Sequence, residues 1–318
     1  MFFKQFLQLG MVKSKNVALV LGSGGARGLA HIGVIEELTR RGYSITSISG
    51  SSMGALVGGL LAANRLEDYK NWILKLDKID ILTLIDFTFS SKGIVKGQKV
   101  FEKMQELNMV PDVNIEELPI PYTAVAVDIL SNQLIVFNSG KLQTAIRASI
   151  SIPSVFTPMP YNGTLLVDGG VLSPLPLEYV ERTKNDLLVA VDLNAVIPYE
   201  HAVRPTSKQP RNSWVKDNPK IEQLVAKWDK FFGHNTAVKE SEVKAKQSPK
   251  SIGYFDLAMR SVQLMQSQLT QYAIMVTPPD VLVPISKNSA TVFEFYKAAE
   301  LIEYGRIQCA KVLDQKGL

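Results

Sequence analysis

The chain of 318 residues has a single cysteine, Cys309, and three histidines, at 31, 201 and 234. One cysteine excludes an internal disulfide and any cysteine-cluster metal site, and it favours a reducing compartment. No apolar run approaches the roughly 18 residues that a membrane-crossing helix needs. The N-terminal stretch MFFKQFLQLGMVK is apolar but has Lys4 and Gln5 inside it and no basic leader, so it fits a signal peptide poorly. It is expected to be an apolar tail, residues 1–15, that packs on the domain or touches a membrane. Internal repeats and low-complexity tracts are absent. The remainder is globular in composition, 46% hydrophobic and 20% charged.

Charge is spread unevenly. Between Val196 and Lys250 there are 11 Lys/Arg and 6 Asp/Glu, which equals the net charge of +5 for the whole chain. This stretch also carries Pro198, Pro205, Pro210, Pro219 and Pro249. It reads as a basic, Pro-rich insertion, 196–250, in a domain that otherwise runs over 16–318. Within it, Lys220–Phe232 is expected to be a helix with Ile221, Leu224, Val225, Trp228, Phe231 and Phe232 on one face and lysines away from it. Such a helix either packs on the domain or lies in an anionic lipid interface.

The regular elements alternate between strand and helix patterns. Asn16–Leu21 is an apolar strand that runs into Gly22-Ser23-Gly24-Gly25-Ala26-Arg27-Gly28 and a helix over Leu29–Arg41. Strand, glycine loop and helix make an anion cradle, because the first amides of a helix have no intrahelical acceptor. The loop lacks the Gly-Lys-Ser/Thr ending of a P-loop. For a dinucleotide fingerprint it has Arg27 where the third glycine belongs and Ser49-Gly50 where an acid belongs. A second strand, Ser44–Ser49, leads into Gly50-Ser51-Ser52-Met53-Gly54 and an apolar helical run. This Gly-x-Ser-x-Gly turn fits a nucleophile elbow with Ser52 at its tip, or equally a plain helix cap.

Further along, 67–107 is expected to be helical with a break at 87–97. Strands are expected at 122–128 and 133–138, a helix at 142–149 and a strand at 164–167 ending in Asp168-Gly169-Gly170. More strands follow at 187–193 and 280–285, with helices at 254–274 and 291–313. For Ser52 to act as a nucleophile it needs a base and an oxyanion hole. The amides of Gly24, Gly25 and Ala26 supply the hole. His31 reads as a core residue, and His201 and His234 fall in the insertion, which leaves Asp168 as the better base.

Four stretches, GSGGARGLAHIGV, GSSMGALVGG, Ala148-Ser149-x-Ser151-x-Pro153 and VDGGVLSPLP, together resemble the patatin-like phospholipase family over roughly residues 16–195, in the manner of its compact bacterial members. The resemblance implies a three-layer α/β/α fold around a mostly parallel sheet and serine-esterase hydrolysis of lipid acyl esters by a Ser–Asp dyad. By motif, Ser52 is the nucleophile and Asp168 the base. Gly24, Gly25, Ala26 and Arg27 form the oxyanion hole, and Gly28, Gly50, Gly54, Gly169 and Gly170 support the turns. The expected partners are a phospholipid or other acyl ester and an anionic membrane met through 220–232, with no nucleic acid, metal or cofactor. The expected location is cytoplasmic and peripheral to the membrane. The alternatives are a non-catalytic lipid- or partner-binding module on the same fold, and a nucleotide-dependent oxidoreductase using the glycine loop.

Overall fold

Strands covered on both faces read as continuous apolar runs, and strands joined by crossover helices run parallel. The computed structural model describes residues 15–318 apart from 85–86, 91–92, 96–97, 154 and 201–253. Strand β1 (Asn16–Leu21) is buried at every position after Asn16. It pairs in parallel with β2 (Ser44–Ser51) on one side. The chain next makes a two-stranded hairpin, β3 (Phe87–Ser90) with β4 (Gly93–Val95), apart from the main sheet. Strand β5 (Tyr122–Asp128) then joins β2 in parallel. Strands β6 (Gln133–Phe137) and β8 (Thr164–Asp168) both run antiparallel to β5, and β7 (Met159–Tyr161) runs antiparallel to β8. On the far side of β1 lie β9 (Leu187–Ala195) and β10 (Val281–Ser286), both parallel.

The register around β5 positions the site. Strand β6 pairs with Ala124–Asp128, β2 with Tyr122–Val125 and β8 with Ala126–Asp128. A strand has only two edges, and β6 shares residues with both of the others, so β2 and β8 must lie along the same edge. They approach from opposite ends and stop at adjacent registers, Ser51 opposite Val125 and Asp168 opposite Ala126.

Side-chain alternation along β1 and β9 separates the layers. Val17, Leu19, Leu21, Val189, Val191 and Leu193 enter the larger core, whereas Ala18, Val20, Leu188 and Ala190 face the other way. The larger core is covered by α1 (Ala30–Arg40), α2 (Met53–Ala62), α3 (Leu66–Ile73), α4 (Lys78–Leu84), α5 (Gln98–Glu106), α6 (Leu142–Ser149) and the last helix of the chain. The opposite face packs on Leu175, Leu177 and the side chains of Ala273 and Ile274 from α7 (Tyr254–Val276). That last helix is α8 (Ala298–Gln315). The result is a three-layer α/β/α fold with a mostly parallel sheet.

The break expected at 87–97 is the β3–β4 hairpin. The closing helix starts at Ala298 rather than Thr291, because the chain before it is engaged elsewhere. Val292 O accepts from the Ala26 amide at 3.0 Å, and Glu294 accepts from Thr291 N at 2.8 Å. Strand β7 has three residues, one of them Pro160, too few to show a period. The insertion is anchored at its start, where the Tyr199 ring stands edge-on to Tyr304 at 5.0 Å and its hydroxyl bonds Glu300. Most of it, including the helix expected at 220–232, lies outside the described residues, as does the tail at 1–14. No helix among the described residues is long and apolar enough to cross a membrane.

Candidate active site

Ser52 sits between β2 and α2 with φ 55° and ψ −123°, a left-handed conformation disfavoured for any residue with a Cβ. The turn is forced by close backbone packing. A Cβ on Gly54 would overlap the carbonyl oxygen of Leu21 at the end of β1, and one on Gly50 would overlap the Gly54 carbonyl. Gly54→Ala is therefore expected to destabilise the protein by about 3 kcal/mol or more, since rigid backbone is what blocks the added methyl. Urea unfolding would measure it, and a loss under about 1 kcal/mol would show that the elbow has room to relax. The Ser52 amide donates to Ser149 Oγ at 2.9 Å, at the end of α6.

Asp168 faces Ser52 from the antiparallel strand. The sequence placed both residues at strand ends, without giving the relative direction of the two strands. Strand β8 starts beyond the edge of β2 and runs inward, so its last residue meets the end of β2 head-on. The Asp168 amide donates to Ser151 O at 2.9 Å, and its Oδ1 accepts from Gly170 N at 2.7 Å. Its Oδ2 is buried without a conventional hydrogen bond. Burial pushes the carboxyl up to about 7, against the smaller opposing effects of the Ser52 hydroxyl and the Gly170 amide. One short segment thus positions both residues, Ser149 through the Ser52 amide and Ser151 through the Asp168 amide. Ser149 and Ser151 were not singled out as site residues, although the Ser-x-Ser spacing at the end of a helix was there to be read.

The glycine loop forms a 3-10 turn over Gly25–Leu29. One expected donor is engaged elsewhere, and one side chain of the loop turns away from the pocket. The Ala26 amide is occupied by Val292 O. The Arg27 side chain is buried behind the loop, where its guanidinium donates to Gly24 O at 3.1 Å, Lys287 O at 2.9 Å and Asn194 Oδ1 at 3.2 Å. Asn194 Nδ2 in turn donates to Ser23 O at 3.0 Å. His31 Nε2 lies 2.8 Å from Gly22 O, and burial holds its pKa down at about 4, so the ring is neutral and donates to that carbonyl. The carbonyls of Gly22, Ser23 and Gly24 are all held by buried side chains. Among the described residues, the amides of Gly24 and Gly25 and the first amide of α2, at Met53, have no protein acceptor. Gly25, with φ +57°, borders the pocket beside Ser52. Gly28 packs on Met53, Gly169 on the Val125 backbone and Gly170 against Ser23.

The pocket in front of Ser52 is almost wholly apolar, with about 800 Å³ of empty space when its open mouth is included. Its outer wall is the excursion between α2 and β5, through Tyr69, Trp72, Ile81, Phe101 and Met104, and Phe156 and Phe293 close the near side.

Residues 19–180 match the family model described as patatin-like phospholipase. An uncharacterized NTE family protein of Mycobacterium bovis is 36% identical over 95% of this chain and 92% of its own length, and one from Mycobacterium tuberculosis is equally similar. Patatin-like phospholipase domain-containing protein 7 of Rattus norvegicus is 31% identical over 60% of this chain, which spans only 14% of that protein. The solved structure of VipD from Legionella pneumophila aligns over 95% of this chain and 67% of its own, with a TM-score of 0.46 and 15% identity.

Proposed function

The chain belongs to the patatin-like phospholipase family, a family of lipid hydrolases, and from that premise we propose that it cleaves phospholipid or other lipid acyl esters with Ser52 as nucleophile and Asp168 as general base. The observation that carries this reading is a buried carboxyl with a pKa near 7 facing a serine on a strained turn, at the wall of an apolar pocket. A carboxylate of ordinary acidity is a poor base for a hydroxyl, and one titrating near neutrality is better matched to proton transfer.

The acyl chain lies in the pocket with its carbonyl carbon at Ser52 Oγ. As Oγ attacks, its proton passes to Asp168 Oδ2, the oxygen with no other partner. The carbonyl oxygen becomes an oxyanion held by the free amides of Gly24, Gly25 and Met53, whose fixed dipoles need no reorganisation. Collapse breaks the ester bond, and the departing alcohol takes the proton from Asp168. Water then attacks the acyl-serine, giving a proton to Asp168; collapse breaks the acyl–Oγ bond, Oγ takes that proton back, and the fatty acid leaves with Ser52 and the Asp168 carboxylate restored. Arg27 serves this scheme from behind the loop by tying down the Gly24 carbonyl, which leaves the amides to face the pocket.

A fluorophosphonate probe tests the assignment. It is expected to label Ser52 stoichiometrically, because only a serine with an adjacent base and oxyanion donors reacts readily. Label on another serine, or none, would refute the catalytic reading and favour a binding module on the same fold.

A further inference from the structure

The outer wall of the pocket carries a buried polar side chain that the mechanism does not use. Tyr69, on α3, is 2% exposed and borders the pocket. Its hydroxyl has no hydrogen-bond partner among the described residues, and burial alone pushes the phenol above its ordinary range. With so little of the residue exposed, the space that its hydroxyl meets is the pocket. Tyr122 shows the usual arrangement for a buried tyrosine, since its hydroxyl donates to Ala55 O at 2.7 Å. A buried hydroxyl left unpaired costs stability, and phenylalanine would fill the same place without that cost. Phenylalanine is what lines the pocket elsewhere, at Phe101, Phe156, Phe293 and Phe295. Trp72, one turn further along α3, borders the pocket as well, and its ring packs on Tyr69 at a 44° tilt with centroids 6.0 Å apart. Its indole N–H also lacks an acceptor among the described residues.

We propose that the Tyr69 hydroxyl is a specificity group that hydrogen-bonds a neutral acceptor oxygen of the substrate, remote from the ester that is cleaved. Donor chemistry and charge select this partner. A protonated phenol and an indole N–H each offer a donor, so the group they meet must accept. No Lys, Arg or His borders the pocket among the described residues, so a carboxylate or phosphate would enter it with no countercharge. A neutral oxygen remains, either a hydroxyl or keto group on the acyl chain or the second ester carbonyl of a diacyl lipid. Ser52 lies at the start of α2 and Tyr69 on α3, so this oxygen sits against a different wall from the scissile carbonyl. A plain hydrocarbon chain would displace water and leave the hydroxyl unpaired. A site built around a hydrogen bond rejects the analogue that lacks it. The placement of the chain rests on the acyl-hydrolase reading, but selectivity in binding is measurable without turnover.

The test compares the full-length wild type with Tyr69→Phe, which removes the hydroxyl and keeps the ring. The substrates are p-nitrophenyl decanoate, its positional isomers with one hydroxyl along the chain, and a monoacyl and a diacyl phosphatidylcholine with short, soluble chains. The quantity read is the ratio of kcat/KM values within each protein, which cancels any general loss. The wild type is expected to prefer an oxygenated member of these pairs, and Tyr69→Phe to lose about tenfold of that preference. A loss on a hydroxylated ester places the oxygen on the acyl chain, and a loss on the diacyl lipid alone places it on the second ester. Without ligand, Tyr69→Phe is expected to be at least as thermally stable as the wild type. Binding is read separately on Ser52→Ala, with and without Tyr69→Phe, as the thermal shift given by the corresponding methyl esters and both phosphatidylcholines. An inactive wild type whose Ser52→Ala form still selects the oxygenated ligand would fail only the catalytic reading. Three results would overturn the proposal. The wild type could show no preference in turnover or in binding. The preference could survive unchanged in Tyr69→Phe. Tyr69→Phe could be the less stable protein, which would give the hydroxyl a partner within the chain.

Discussion

Replacing Ser52 with alanine is expected to lower kcat for ester hydrolysis by at least about 10⁴-fold while leaving the protein folded. The substitution removes the atom that forms the acyl-enzyme, and among the described residues no other serine combines a left-handed backbone, a facing buried carboxylate and the pocket wall. Any residual rate would come from the oxyanion donors and from binding. Ser52→Gly separates chemistry from strain. It is expected to be equally inactive but more stable than Ser52→Ala by about 1 kcal/mol or more, because φ 55° and ψ −123° suit glycine and strain any residue with a Cβ. Burst kinetics with a chromogenic ester, alongside urea melts of both variants, would read the two effects. Hydrolysis by Ser52→Ala within tenfold of wild type would remove Ser52 from the mechanism.

The elbow was legible in the sequence because its cause is local. Gly50 and Gly54 flank the serine, and the strand and helix patterns lie on either side. The order of β1, glycine loop, α1 and β2 was legible for the same reason, since a short apolar run and a short run with β-branched residues, each ending near glycine, leave few alternatives. What the sequence hid depends on long-range register. Asp168 could be picked out by its Asp-Gly-Gly turn, but a parallel sheet would have suggested a strand lying beside β2. The actual arrangement, two strands meeting end to end along one edge of β5, follows from pairings among residues 44–51, 122–128 and 164–168. No periodicity encodes that. The oxyanion donors show the same limit. The glycines mark the loop, but Val292, 266 residues away, removes Ala26 from the set of free amides, and Asn194 and Lys287 turn Arg27 away from the pocket.

Asp168→Asn is expected to move activity and stability in opposite directions. Burial raises the folded-state pKa of this carboxyl from its ordinary 3.8 to about 7. Below about pH 4 the group is protonated in both folded and unfolded chains and carries no penalty. Between pH 4 and 7 the unfolded chain loses its proton while the folded one keeps it, so stability falls as pH rises. Above pH 7 the loss is complete and amounts to something on the order of 4 kcal/mol. Asparagine is neutral at every pH and nearly isosteric, so its variant should lack this component and be the more stable protein at pH 8, by a few kcal/mol. The same substitution removes the base, and kcat/KM should fall by at least about 10³-fold at pH 8, where the wild-type carboxylate is ionised, with the gap narrowing as pH falls below 7. In the wild type, kcat/KM should rise with pH and reach half its plateau near pH 7, because only the ionised carboxylate accepts the serine proton. Thermal melts from pH 4 to 9 and a pH–rate profile on a soluble ester would measure both. A variant that is inactive yet less stable than wild type at pH 8 would mean that Asp168 holds the Gly170 turn more than it suffers from burial. A wild-type profile flat from pH 5 to 9 would mean that Asp168 does not supply the base.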